Sequence, residues 1–165
     1  MMRLPGKSAW LGLSLGIILL DQLSKWYVAE HMHAFETVYV LPVFNIALLH
    51  NTGAAFSMLA GESGWQRWFF VVLALVILGL IVAWLARMPE SAGRWVPAGL
   101  ALVAGGAVGN VWDRLTLGYV VDFLQFHWAG WYFPAFNVAD SAITVGAIML
   151  ILDGVFLQRR MRVVK

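Results

Sequence analysis

The sequence predicts an all-α polytopic membrane protein: four transmembrane helices with a small β-like platform on the outer side. Three observations support this fold class. The chain of 165 residues is 61% hydrophobic and only 12% charged, whereas soluble domains are about 45–50% apolar. It contains four apolar segments, each close to the length that crosses a bilayer. Its basic residues fall mainly on one side of the topology that these segments imply.

The four predicted spans follow the apolar runs. The first covers about residues 8–29, and the second, an uncharged run between two arginines, covers about 68–86. The third covers about 95–112 and the fourth about 137–157. Runs of roughly 20 apolar residues are typical of transmembrane helices. The chain has no room for a separate soluble domain beside these spans, so residues 1–165 are expected to form a single integral membrane domain.

Lysine and arginine predict the orientation. An even number of spans places both termini and the loop 87–94 on one side, and only Lys25, Arg67 and Arg114 of the 11 basic residues fall on the other. Cytoplasmic loops carry the excess of basic residues, so both termini are expected to be cytoplasmic. The pI near 9.2 therefore indicates orientation rather than a nucleic-acid-binding surface.

The two outer loops are the long ones, about residues 30–66 and 113–136. In the first, residues 37–41 and 43–49 are rich in β-branched and aromatic side chains, and Pro42 lies between them. These runs predict the small sheet-like platform. The second outer loop is aromatic and partly apolar, and it is expected to lie in the membrane interface.

Glycines at four-residue spacing predict close helix packing. Gly12 and Gly16 form one such pair in the first span, and Gly105 and Gly109 form another in the third. Small residues allow helix backbones to approach each other in lipid. Both pairs are therefore expected at helix–helix contacts.

The polar residues in and beside the spans converge on the outer surface. Carboxylates are costly at membrane depth, so such residues mark a functional site by default. The group comprises Asp21, Lys25, Asn51, Asn110, Asp113, Arg114, Asp122, Asn137, Asp140 and Ser141. Asp153 is the exception, since it lies near the cytoplasmic end of the fourth span. Its side chain is expected to extend toward Arg159 or Arg160.

Several of these residues have a purely structural alternative. Asp21 and Lys25 are four residues apart and could form only a local ion pair. Asp113 could be only an interfacial helix terminus. Asn137 could be only the N-cap of the fourth span, and Asp140 could serve only the helix dipole.

Arg114 shares a helix face with Asn110, because the two are four residues apart. It could pair with a carboxylate and hold the network rigid. Asp122, between Val121 and Phe123, has the weakest structural explanation.

Most other chemistries are poorly supported. The chain has no cysteine, and its four histidines show no metal-ligand spacing. The serines lack a nucleophile-elbow context. We therefore expect no metal and no cofactor. Two close carboxylates, Asp122 and Asp140, would share a proton and favour acid–base chemistry on a bond that arrives through the lipid.

Two other classes of function remain open from the residues alone. A small proton- or ion-coupled transporter could use the same acids as relay groups. A non-catalytic assembly factor could be held together by the glycine pairs, but it would leave Asp122 and Asp140 unexplained.

Five motifs, in order along the chain, resemble those of lipoprotein signal peptidases (signal peptidase II). They are residues 21–25 (DQLSK), 51–56 (NTGAAF), 105–114 (GGAVGNVWDR), 120–123 (VVDF) and 133–141 (FPAFNVADS). The resemblance implies an aspartic endopeptidase of the bacterial cytoplasmic (inner) membrane, with its active site near the periplasmic face. The substrate would be a prolipoprotein, cleaved N-terminal to a cysteine that carries a diacylglyceryl group.

The resemblance also implies roles for individual residues. Asp122 and Asp140 would be the catalytic dyad. The supporting and substrate-binding residues would be Asp21, Lys25, Asn51, Gly53, Asn110, Arg114 and Asn137. Membrane lipid would be a further partner, and a globomycin-type cyclic lipopeptide would be an inhibitor.

Overall fold

The structure is a computed structural model that describes residues 7–53, 64–89 and 93–157. In these ranges the helices are α1 (Lys7–His31), α2 (Trp65–Arg87), α3 (Trp95–Thr116) and α4 (Val138–Leu152), and a π-helical turn, Asp153–Leu157, continues α4. The strands are β1 (Thr37–Leu41), β2 (Phe44–Asn51), β3 (Val120–Trp128) and β4 (Trp131–Tyr132).

Three of the four described helices are long and apolar enough to cross a membrane by length and composition. They are α2, α3 and α4 with the start of its π-helical turn. The first helix is 25 residues long, but the polar residues Asp21, Gln22 and Lys25 lie in its second half and lower its apolar content. The prediction of four apolar helical segments is therefore met in number, and three of them reach the apolar content of a span.

Helix α3 packs against each of the other three helices. Its glycines face two neighbours at once. Gly105 and Gly109 face α1, where an added Cβ would lie 2.8 Å from the Ser14 carbonyl oxygen and 2.5 Å from Oδ2 of Asp21, respectively. Gly99 and Gly106 face α4, and a Cβ at Gly106 would collide with the carbonyl oxygen of Ala139. Close contact between backbones is therefore what brings α1, α3 and α4 together.

The second predicted glycine pair behaves differently. A Cβ at Gly12 or Gly16 would meet no atom within 4 Å, and both glycines lie on an exposed face of α1. The expectation of helix packing at this pair is wrong for contacts within the described chain. A four-residue glycine spacing predicts a flat helix surface, but it does not say which surface is covered.

The sheet is antiparallel, in the order β1-β2-β3-β4. The predicted platform supplies β1 and β2, as expected. The second outer loop, expected only to lie in the interface, supplies β3 and β4. The first four residues of β3 are all buried, so its sequence lacks the apolar–polar alternation that identifies a half-buried strand. The fold therefore combines the described helices with a small antiparallel sheet, and this sheet includes part of the second outer loop as well as the predicted platform.

The register of the sheet places one acid of interest. Asp122 pairs with Leu49 and Val120 pairs with Asn51, so Asn51 and Asp122 point to the same face. The sheet is anchored on the end of α1, because Val28 packs in a buried cluster with Leu48, Val121 and Phe123. Strand β3 is thus fixed beside the polar end of the helix bundle.

We expect Gly106→Ala to destabilise the protein, because the new Cβ would overlap the backbone of α4. Overpacking of this kind costs about 1–3 kcal/mol. Thermal unfolding in detergent micelles measures the change. Gly16→Ala is the matched control, since open space surrounds it, and its better helix propensity is worth up to about 1 kcal/mol. Equal melting temperatures for the two variants would contradict the packing described above.

Candidate active site

Asp122 lies on β3 with only 3% of its surface exposed. Both carboxylate oxygens accept a hydrogen bond from an asparagine. Nδ2 of Asn137 donates to Oδ1 at 2.7 Å, and Nδ2 of Asn51 donates to Oδ2 at 2.9 Å. A buried carboxylate requires such donors, so the position of Asp122 depends on the sheet through Asn51 and on α4 through Asn137.

Asp140 lies in the first turn of α4 and takes part in a capping box. Oδ1 of Asn137 accepts the Asp140 backbone N–H at 2.8 Å, and Oδ2 of Asp140 accepts the Asn137 backbone N–H at 3.3 Å. This reciprocal pair is a common start of a helix. The other oxygen, Oδ1, accepts from Nδ2 of Asn110 at 2.7 Å. Asp140 is therefore held by α3 as well as by its own helix.

Asn137 connects the two acids directly. Its side-chain nitrogen donates to Asp122, and its backbone nitrogen donates to Asp140. The N-cap role that the sequence left open is present, and the same residue also contacts the second acid. A single asparagine thus donates a hydrogen bond to each of the two carboxylates.

The environment of Asp122 favours its protonated form. Burial, and then the negative charge of Asp140, raise the pKa of Asp122 from 3.8 to about 7. The hydrogen bonds from Asn51 and Asn137 and the charge of Lys25 oppose this rise. At neutral pH the pair can therefore contain one carboxylic acid and one carboxylate, which are a proton donor and a proton acceptor.

Beneath the acids lies a buried ion cluster centred on Lys25, which is 3% exposed. Its Nζ atom is 2.8 Å from Oδ2 of Asp21, 2.8 Å from Oδ2 of Asp113 and 3.0 Å from Oδ1 of Asn110. Three donors meet three acceptors, so the ammonium group is fully satisfied. The Asp21–Lys25 contact is therefore one part of a network that joins α1 to α3.

The two acids of this cluster each hold a backbone position next to Asp122 or Asp140. Oδ1 of Asp21 accepts the N–H of Ala139 at 2.9 Å, and Oδ2 of Asp113 accepts the N–H of Val121 at 3.2 Å. Ala139 precedes Asp140, and Val121 precedes Asp122. The ion cluster consequently fixes the backbone beside both acids.

Gln22 completes the cluster. Its Nε2 atom donates to Oδ1 of Asp113 at 2.9 Å, to Oδ2 of Asp21 at 3.1 Å and to the Gly109 carbonyl oxygen at 3.2 Å. Gln22 was not predicted to be a site residue, and Asp113 had a structural alternative as the end of a helix. Spacing carried the missing signal: Asp113 lies three residues after Asn110, and Gln22 lies three residues before Lys25.

Among the residues that the structure describes, Arg114 forms no ion pair with a carboxylate, in contrast to the pairing suggested by the sequence. Its guanidinium donates to the carbonyl oxygens of Asn110 at 3.4 Å and Gly53 at 3.0 Å. It also lies 5.0 Å from the ring centroid of Phe70. The Gly53 N–H in turn donates to Oδ1 of Asn51 at 3.0 Å. Arg114 thus orders the chain at Asn51 and Gly53, next to Asp122.

The structure brings all nine sequence-predicted site residues to one end of the helix bundle. Ser141 lies close by and donates from its hydroxyl to the Asn137 carbonyl oxygen at 2.9 Å. Asp153 is half-buried at the far end of α4, and its expected partners Arg159 and Arg160 lie outside the described residues. Within residues 7–53, 64–89 and 93–157, no three His, Asp or Glu side chains form a metal-binding group.

The chain is similar to proteins of a known family. Residues 13–156 match the family described as signal peptidase (SPase) II. A lipoprotein signal peptidase of Pseudomonas fluorescens is 51% identical over 150 residues, covering 90% of this chain and 88% of the relative. One from Acinetobacter baumannii is 51% identical over 156 residues, covering 94% and 88%.

Two solved structures of bacterial membrane enzymes share the fold. One superposes with a TM-score of 0.80 at 29% identity, covering 92% of this chain and 90% of that one. The other has a TM-score of 0.82 at 27% identity, covering 94% and 98%. All nine sequence-predicted site residues lie inside the matched family range.

The raised pKa of Asp122 predicts a pH-dependent stability. The folded protein retains the proton between about pH 4 and pH 7, whereas the unfolded chain loses it, so wild-type stability falls as pH rises through this window. Asp122→Asn does not titrate. Its stability relative to wild type should therefore increase from pH 4 to pH 8, by at most about 4 kcal/mol. Thermal unfolding in micelles across this range measures the difference.

Glu30→Gln is the matched control for this titration. Glu30 is exposed on α1, so the same acid-to-amide change should leave the pH dependence of stability as it is. A constant difference between Asp122→Asn and wild type from pH 4 to pH 8 would show that folding does not perturb the Asp122 carboxyl group.

Proposed function

The chain belongs to the signal peptidase II family of proteases, and we propose that it removes the signal peptide from diacylglyceryl-modified prolipoproteins. Cleavage occurs on the N-terminal side of the lipidated cysteine. The observation that supports an aspartic mechanism is the contact of one asparagine, Asn137, with both Asp122 and Asp140. Two carboxyl groups linked in this way can supply the proton donor and the proton acceptor of an aspartic protease dyad.

In the proposed reaction the pair activates water and the scissile amide together. The ionised carboxylate takes a proton from water while the water oxygen bonds to the carbonyl carbon. The protonated carboxyl group gives its proton to the carbonyl oxygen. The resulting tetrahedral intermediate then loses the amine: the C–N bond breaks, and the proton taken from water passes to the nitrogen.

The pair then returns to its starting state. The carboxylate that protonated the carbonyl oxygen recovers a proton from one hydroxyl group of the intermediate, which leaves a carboxylic acid at the end of the signal peptide. One proton again remains on the pair, so each cycle consumes one water and no other reactant.

The remaining site residues support this chemistry. Asn51, Asn110 and Asn137 donate to the carboxylate oxygens, while Asp21 and Lys25 lie in the ion cluster beneath. Gly53 and Arg114 order the part of the first outer loop that follows β2, which would border the substrate. The lipid tails and the apolar signal-peptide helix remain in the bilayer, so they deliver the scissile bond already positioned.

The same proposal sets the placement in the membrane. All four helices, including α1, cross the bacterial inner membrane as one domain, with both termini cytoplasmic. The acids then lie near the periplasmic face, because α1 and α3 end there and α4 begins there. A globomycin-type cyclic lipopeptide would compete for the same site.

We expect Asp122→Asn and Asp140→Asn each to abolish cleavage, because each removes one member of the proton-transfer pair. Loss of a general acid or base lowers the rate by about 100- to 10,000-fold. The measurement uses purified variants in micelles with a diacylglyceryl-modified prolipoprotein, and gel mobility reports the precursor and product.

Asp153→Asn is the matched control, because it makes the same chemical change at the opposite end of α4. It should retain wild-type cleavage. Both dyad variants should remain folded in a thermal melt. Cleavage at the wild-type rate by either folded dyad variant would exclude an aspartic mechanism at this pair.

A further inference from the structure

The two acids of the pair have different hydrogen-bond donors. Within the described part of the chain, Asp122 accepts from side-chain amides, those of Asn51 and Asn137. Asp140 accepts from the backbone N–H of Asn137 and from Nδ2 of Asn110. It also lies in the first turn of α4, where the helix dipole favours a negative charge. The pair is therefore asymmetric before any substrate binds.

Lys25 fixes the orientation of the amide that faces Asp140. Its ammonium group can only donate, so the atom of Asn110 that lies 3.0 Å from Nζ must be the oxygen. Asn137 also donates to this oxygen, at 3.2 Å. The Asn110 nitrogen is then directed to Oδ1 of Asp140 at 2.7 Å. A rotated amide would place its NH₂ group against the ammonium ion.

Charges from every neighbouring element act on this pair. Helix α1 contributes Lys25 and Asp21, and α3 contributes Arg114 and Asp113. Lys25 is the cation that contacts the asparagine of Asp140, whereas Arg114 donates to backbone carbonyl oxygens. The positive charge nearest to this relay is therefore that of Lys25.

We propose that Lys25 is a positioning residue which, through Asn110, keeps the negative charge of the pair on Asp140, so that the shared proton rests on Asp122. If the proposed function holds, Asp140 is then the base that takes the proton from water, and Asp122 is the acid that protonates the carbonyl oxygen. The pKa of about 7 at Asp122 agrees with a proton held there near neutral pH.

Infrared spectroscopy tests the proton position without substrate. The carbonyl stretch of a protonated carboxyl group appears in the difference between spectra at about pH 5 and about pH 9. Wild type and Asp140→Asn should both show this band, because Asp122 remains. Asp122→Asn should lack it, because the proposal places the negative charge on Asp140 at both pH values. The reverse pattern, with the band absent in Asp140→Asn and present in Asp122→Asn, would overturn the assignment.

Double variants test the part played by Lys25. Adding Lys25→Gln to Asp122→Asn should restore the band, because Asp140 loses the donor that stabilises its charge. Adding Lys25→Arg, which keeps the charge, should not. If the glutamine variant does not fold, adding Asn110→Leu removes the donor to Asp140 without adding a carboxyl group and should also restore the band. A folded double variant of either kind without the band would refute the role of Lys25.

The spectra test the position of the proton and the cleavage assay tests the proposed function, so the two proposals can be refuted independently. If the spectra are as expected but the protein cleaves no prolipoprotein, the proposed function is wrong and the assignment of the proton to Asp122 stands. Normal cleavage with reversed spectra would leave the peptidase intact and exchange the roles of the two acids.

Discussion

The site depends on the contact of one buried lysine with two buried aspartates. Lys25 lies between Asp21 and Asp113 at 2.8 Å from each, and burial of such ions is costly unless every group is paired. Here the pairing is complete, and both carboxylates also accept from the backbone: Oδ1 of Asp21 from Ala139 N–H, and Oδ2 of Asp113, which also contacts Lys25, from Val121 N–H. The same interaction that neutralises the buried charge therefore determines where Asp140 and Asp122 lie.

The small residues on α3 leave the space that the Asp21 carboxylate occupies in its contact with Lys25. Oδ2 of Asp21 would be 2.5 Å from a Cβ at residue 109, so only glycine permits the carboxylate to lie there. Gly105 and Gly106 similarly admit the backbones of α1 and α4. Helix packing and the polar site are thus consequences of the same small residues.

The sequence predicted most of what depends on periodicity and topology. Apolar runs located the helices, and alternate spans brought Asp21, Asn110 and Asp140 to one face, since successive helices reverse direction. Strand β3 was not predicted, because its first four residues are all buried and the segment therefore lacks an apolar–polar alternation. The partners of Arg114 were not predicted, because they are backbone carbonyl oxygens, and the side-chain sequence does not reveal such partners. Contacts between distant segments, such as Asp21 with Ala139, are set by packing that one sequence does not specify.

Asparagine, rather than a shorter or a charged residue, suits each position around the pair because an amide has one end of each polarity. The oxygens of Asn51, Asn110 and Asn137 accept from Gly53 N–H, from Lys25 and from Asp140 N–H, respectively. All three acceptor ends are therefore occupied by groups that only donate, and all three nitrogens must face a carboxylate. An aspartate at any of these positions would set like charges together at hydrogen-bonding distance. The surrounding network is fixed in polarity, so the proton that can move is the one on the pair.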